Sequence, residues 1–276
     1  MSPHAPPAEA DLVARYAAPA ARATAATHVV EYLRDSGVAA DGAIRLEVLL
    51  PDGGVEAWTL AFDGPVVALD PSARPEVVLR LPLDALVHLV SGEADGALLH
   101  LAGTLHIDGD AELVLGLGSS LRVPGAANAL IDPAALDPVA VSAAIADAST
   151  EHLAGVMAGT FRDLVLGEVF RRLPAFLISE KAAKVAVTIA FEVGGRDDGH
   201  VDRYVVRVAG GVCTVQADAP ADTVVDATLL LEGHEFLRLV LGHLNPVRGV
   251  LSGQVRVQGS VVKALGFNAV MRIPGS

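Results

Sequence analysis

Hydrophobic positions along this chain change period several times, and the changes mark out its elements. Ile44, Leu46 and Val48 alternate with Arg45 and Glu47, which predicts a strand over Ala43–Leu50. Pro51-Asp52-Gly53-Gly54 then turns the chain into a second alternating run, Val55–Phe62. Val66–Leu69 and Val77–Leu81 read as two more strands. From Leu83 the period lengthens to that of a helix, which runs to Val90. A second short apolar turn reaches Leu101, a strand covers Thr104–Asp108, and a last helix starts at Asp110. The later half follows the same order. Leu153, Val156, Met157, Thr160, Phe161, Leu164 and Val165 recur at three- and four-residue steps and predict one long helix, capped by Thr150 and stopped near Pro174. Strands are expected over Val185–Val193, Arg203–Val208, Val212–Gln216 and Val225–Leu231. An apolar helix then stops at Gly242, and Asn245-Pro246 starts a short one with a capping residue followed by a helix-compatible proline. A strand within Gln254–Gln258 and a helix over Val261–Val270 complete the half.

Glycine spacing turns this likeness into a repeat. Gly92 and Gly242 are 150 residues apart, and the same shift pairs Gly103 with Gly253, Gly109 with Gly259 and Gly116 with Gly266. It also pairs Leu121-Arg122-Val123-Pro124-Gly125 with Met271-Arg272-Ile273-Pro274-Gly275. One offset held across Gly, Pro and apolar positions points to two copies of one domain, since solenoid repeats have periods of only about 20–50 residues. The division expected is 1–125 for a divergent first copy, 126–149 for a partly helical connector and 150–276 for the second. Residues 1–10 read as a frayed tail, and the Ala-rich stretch from Asp11 as two short helices interrupted by Pro19, the second over Thr24–Arg34.

Composition narrows the class. The 276 residues are 52% hydrophobic with a single cysteine, Cys213, so the cores form without an internal disulfide and a reducing, cytoplasmic setting is expected. No apolar run reaches the roughly 18 residues of a membrane span, and the amino-terminal residues lack the pattern of a secretory signal. The net charge of −13 is lopsided: residues 1–138 hold 7 Lys and Arg against 19 Asp and Glu, and the remainder 13 against 14. An acidic first half excludes a phosphate-tracking nucleic-acid surface there and offers a possible face for a protein partner.

The later half resembles a known family. Gly242-His243-Leu244-Asn245-Pro246 and the skeleton Ser252-Gly253-Gln254-Val255-Arg256-Val257-Gln258-Gly259 are similar to the SCP2 (sterol carrier protein 2) sterol-binding domain, over roughly Glu151 to the carboxyl terminus. The likeness extends more faintly to Ala43–Pro124, where Asp95-Gly96 stands in place of the Asn-Pro helix start. The resemblance implies an α+β fold of tandem SCP2-like domains, each a five-stranded sheet covered by helices, with an apolar tunnel between the layers. It implies binding of fatty acyl chains, sterols or other lipids, with no cofactor and no catalytic residue to carry over.

Phe161, Leu164, Phe170, Phe176, Phe236, Leu239, Val240, Leu244, Val250, Leu251, Phe267 and Met271 are the candidates to line a ligand space in the second copy. Periodic apolar faces alone favour packed core, and it is the family resemblance that argues for an open space. Arg162, Arg171, Arg172, Arg238, Arg248, Arg256, Lys263 and Arg272 could meet a polar headgroup at its mouth, or could be solvated surface. His234-Glu235 opens like a zinc-protease helix, but Arg238 occupies the place of the second histidine, so no metal site is expected. The leading expectation is a non-enzymatic carrier of a hydrophobic small molecule. Two alternatives stay open: an isomerase or cyclase acting on an apolar substrate held between the domains, and an interaction module with closed pockets.

Overall fold

The computed structural model describes residues 18–35, 37–121, 129, 131–272 and 274. The expected amino-terminal tail, the start of the first helix and most of the repeated Arg-x-Pro-Gly endings lie outside them. The chain divides into two compact units, Met1–Leu136 and Asp137–Ser276.

In the first unit, α1 (Pro19–Asp35) precedes β1 (Ala40–Leu49), β2 (Val55–Gly64), β3 (Val66–Leu69) and β4 (Val77–Pro82); α2 (Leu83–Ser91), α3 (Gly96–Leu101), β5 (His106–Gly109) and α4 (Ala111–Ser120) follow. The sheet order is β3-β2-β1-β4-β5, with only β1 and β4 parallel. Pro19 begins α1, where its missing amide leaves no helix bond unmade, and the shorter helix expected ahead of it lies outside the described residues. Val30 and Leu33 of α1 pack against Ile44, Leu60, Phe62 and Val67 on one face of the sheet. Arg34 fastens the end of α1 by donating from Nε (2.9 Å) and Nη2 (2.7 Å) to the Val67 carbonyl. On the opposite face Glu47 accepts from Arg80 and Arg45, which hold its carboxyl below the usual range.

The second unit opens with α5 (Pro138–Ala146), α6 (Thr150–Ala158), α7 (Arg162–Arg172), a 3-10 turn at Leu173–Phe176 and α8 (Ser179–Ala182). Its sheet comprises β6 (Ala186–Gly194), β7 (Asp202–Ala209), β8 (Val212–Ala217), β9 (Ala227–Glu232) and β10 (Arg256–Gly259). The helices α9 (Gly233–Val240), α10 (Pro246–Ser252) and α11 (Val261–Ala269) interleave with its last strands. The order β8-β7-β6-β9-β10, again with one parallel pair, β6 with β9, reproduces the first unit strand for strand. The long helix expected from Thr150 is two helices. Ser149 caps the first through the His152 amide (3.0 Å), Gly159 is extended, and α7 begins at Arg162.

The repeated glycines have a shared physical cause. Gly109 and Gly259 adopt φ of +116° and +90°, and a Cβ there would sit 2.0 Å from the Glu76 carbonyl oxygen and 2.7 Å from that of Asp226. Each ends the last strand where it crosses the backbone entering its neighbour, so no other residue fits. Caps are preserved even where the residue differs. Asp95 accepts from the Ala97 and Leu98 amides at the start of α3, as Asn245 accepts from Val247 and Arg248 at the start of α10. Register locates where the copies diverge. Leu46 pairs with Trp58 where Phe191 pairs with Tyr204, and Ile44 pairs with Val77 where Ile189 pairs with Ala227. The offset is therefore 145 at the first strand of each copy, 146 at the second and 150 at the fourth. The second copy gains one residue in the β6–β7 hairpin and four between β8 and β9.

Candidate functional site

The most aromatic part of the molecule is the helix-covered face of the second sheet. Val187, Ile189, Phe191 and Val193 alternate inward along β6, and register places Tyr204 of β7 directly opposite Phe191. Helix α7 lowers Phe170 onto this pair, so that its ring stacks on Tyr204 with centroids 3.8 Å apart. Phe236 of α9 stacks on the same ring at 5.1 Å. Phe191 meets Phe170 and Phe236 edge-on at 5.7 and 5.9 Å, and Phe267 of α11 meets Phe191 at 6.0 Å. Five rings thus join three helices to two strands in the offset and edge-to-face arrangements that aromatic quadrupoles favour.

Of the twelve residues expected to line a ligand space, Phe170, Phe236 and Phe267 come together in this cluster and are buried. Phe161, Leu164, Phe176, Leu239, Val240, Leu244 and Met271 are half-buried; Met271 forms an isolated bridge with Leu177. Val250 and Leu251 lie at the surface. Phe191 and Tyr204 belong to the cluster and were missed. Their signal was the pairing of two aromatics at matching inward positions of neighbouring strands. In the first copy the register puts Leu46 and Trp58 at these positions, and the 150-residue shift puts Leu86 and Leu117 where Phe236 and Phe267 stand. Three of these ring positions are thus leucine in the first copy, and Trp58 keeps the fourth aromatic.

Beside the rings lies a polar arrangement. Arg162 is fully buried. It donates from Nε to Asp202 (2.6 Å), from Nη1 to the carbonyls of Met157 (2.6 Å) and Gly194 (2.9 Å), and from Nη2 to that of Val193 (2.6 Å). With four of its five donors spent on the protein and no exposed surface, it is not the headgroup-binding residue its sequence position allowed. The other basic candidates divide. Arg171 and Arg172 pair with Glu168, Arg238 donates to the Ala148 carbonyl, and Lys263 to that of Ala186. Arg196 bridges Asp163 (2.7 Å) and Asp202 (3.2 Å), and Asp163 raises its pKa further.

Above this network opens a cleft of about 400 Å³ lined by Asp163, Arg196, Asp198, His200, Asp202, Tyr204 and Asp218. Burial, with the charges of Asp202, Asp218 and Asp163, pushes the Tyr204 hydroxyl above its ordinary pKa. Tyr204 thus has its ring against Phe170 and borders the acidic cleft. Cys213 is buried, and burial pushes its thiol up as well, away from reactive thiolate.

This architecture, twice over, is that of a small α+β domain with a helix layer on one face of a five-stranded sheet. The family model described as the SCP-2 sterol transfer family matches residues 38–122 and again 169–272. The chain belongs to that family, in two tandem copies. No curated protein gives a significant match. Among solved structures, sterol carrier protein 2 from Yarrowia lipolytica in its apo form is 19% identical, with 43% of this chain and 92% of that chain covered and a TM-score of 0.27. Palmitated SCP2L2 from Aedes aegypti is 15% identical over 41% of this chain and 97% of that chain, with a TM-score of 0.33. The sec-alkylsulfatase Pisa1 from Pseudomonas sp. matches 58% of this chain at 15% identity and a TM-score of 0.35; the match covers only 27% of that enzyme's length.

Proposed function

We propose that the second unit binds a hydrophobic small molecule, a fatty acyl chain, sterol or other lipid, against the aromatic face between its helices and sheet. The observation that carries this reading is the five-ring cluster, all of whose members lie within the family-matched residues 169–272. The half-buried Phe161, Leu164, Phe176, Leu239, Val240, Leu244 and Met271 supply further apolar surface in the same unit. Each ligand methylene removed from water contributes about 0.8 kcal/mol, so apolar burial dominates affinity. The cleft beside Tyr204 carries four carboxylates against Arg196 and His200, which favours a neutral or hydroxyl-bearing polar end there over a carboxylate or phosphate. The first unit, with leucines at three of the ring positions, takes a different ligand or none.

Native mass spectrometry of the purified full chain, followed by solvent extraction, tests the proposal together with titration of a fluorescent fatty acid and a fluorescent sterol. Uptake should weaken in Phe236→Leu, which installs the first copy's residue. Failure of both probes to bind, with no lipid extracted, would overturn it.

A further inference from the structure

After Glu235 the chain contains no Asp or Glu, yet it carries Arg238, Arg248, Arg256, Lys263 and Arg272. This is a basic segment of 41 residues in a protein of net charge −13. Two of its helices also turn apolar side chains to solvent. Leu251 is 83% exposed and Val262 80%, joined by Val247 and Val250 on α10 and by Val261 and Leu265 on α11. These helices lead directly into and out of β10, the edge strand of the sheet.

The first copy provides an internal control. At the 150-residue shift Leu251 answers Leu101, which is buried, Val261 answers Ala111, also buried, and Val262 answers the exposed Glu112. Arg248, Arg256 and Lys263 answer Leu98, His106 and Leu113, while Asp108 and Asp110 stand where Gln258 and Ser260 are. One fold position is thus acidic with its apolar residues buried or half-buried in the first copy, and basic with several of its apolar residues exposed in the second. No described carboxylate pairs with Arg248 or Arg256. Cations interspersed with exposed Leu and Val, without acidic neighbours in sequence, match the chemistry of an anionic lipid interface.

We infer that α10 and α11 dock the second unit onto anionic membrane surfaces, with Leu251 and Val262 entering the headgroup boundary and Arg248 and Arg256 meeting lipid phosphates. This inference is independent of whether a lipid occupies the interior. It is tested by sedimenting the full chain with large unilamellar vesicles of phosphatidylcholine containing about 30% phosphatidylglycerol, and with vesicles of phosphatidylcholine alone. At about fivefold per cation, Arg248→Gln with Arg256→Gln should weaken partitioning by about 25-fold. Leu251→Ser with Val262→Ser should weaken it at least about tenfold, while Val55→Ser, an exposed position in the first unit, should leave it unchanged. The inference fails if wild type does not prefer the anionic vesicles, if both double variants bind as wild type does, or if Val55→Ser loses as much. It fails too if the wild type ignores vesicles and sedimentation velocity shows a dimer that Leu251→Ser with Val262→Ser dissociates, since a second copy would then be what covers this face.

Discussion

Replacing Arg162 with Met keeps the length and much of the volume of the side chain but removes every donor it supplies. In the native unit that guanidinium is fully buried and satisfies Asp202 and three main-chain carbonyls, those of Met157, Val193 and Gly194. Removing one partner of a buried ion pair costs about 3–5 kcal/mol, because the desolvated groups left behind have nothing to replace it. Arg196 remains within 3.2 Å of Asp202, which relieves the carboxylate but none of the carbonyls. The expected loss is therefore about 4 kcal/mol. For a unit of this size it should lower the melting temperature by on the order of 12 °C. Differential scanning calorimetry of the full chain reads this, and the shift should fall on one transition, that of the second unit. Asp202→Asn should cost less than Arg162→Met, and the double variant little more than Arg162→Met alone. Gly233→Ala approaches the same arrangement from α9. Its new methyl would sit 2.7 Å from Met157 Cβ and 2.9 Å from Arg162 Nη1, neither able to retreat, at a cost of about 1–3 kcal/mol. A melting temperature for Arg162→Met within about 2 °C of wild type, a change of under ~1 kcal/mol, would refute the argument that this residue fastens α6, α7, β6 and β7 together.

Asp95 is expected to make stability pH-dependent in an unusual direction. Burial raises its pKa above the ordinary 3.8 despite the amides it caps, so the folded state holds the proton more tightly than the unfolded chain. Stability from this group is lost as pH rises from 3.8 through the raised folded value and stays lost above it. Asp95→Asn, which copies Asn245, should keep the cap and stabilise the protein at pH 7, and chemical denaturation should find that gain fading below about pH 4. Gly109→Ala and Gly259→Ala should each destabilise by at least about 2 kcal/mol, since the added carbon meets backbone and the φ is positive. Urea unfolding midpoints check both, and parity with wild type at either position would remove the physical basis given for the repeated glycines.

Much of the fold was written in local chemistry. Strand alternation, the Asn245-Pro246 start and the glycine offset depend on neighbours a few residues away, and all correspond to features of the structure. The break between α6 and α7 was not legible, because the apolar steps from Leu153 to Val165 continue through Gly159 without losing phase. Arg162 could not be told from Arg171 on the same helix, one with a fully buried side chain and the other at the surface with Glu168. What separates them is Asp202, 40 residues further along, together with carbonyls that carry no signature in side-chain sequence. Phe170, Phe236 and Phe267 could be named as apolar and inward, but the partners that organise them, Phe191 and Tyr204, sit on strands whose mutual register must be known first.

The five residues that the second copy has in addition between its first and fourth strands all fall between ladder segments, and the β-sheet pairings on either side keep their phase. Lengthening a surface connection has a small entropic cost, so such growth leaves the scaffold's stability nearly untouched. Those connections hold Arg196, Asp198, His200 and Asp218, four of the groups around the cleft, and Ala219, tucked against Ala190 on the sheet's other face. One of two sister modules thus carries a charged rim on two longer surface connections, a hairpin and a crossover, while the shared framework keeps its pairing. Exchanging these connections between the sisters is the natural route to re-tailoring either.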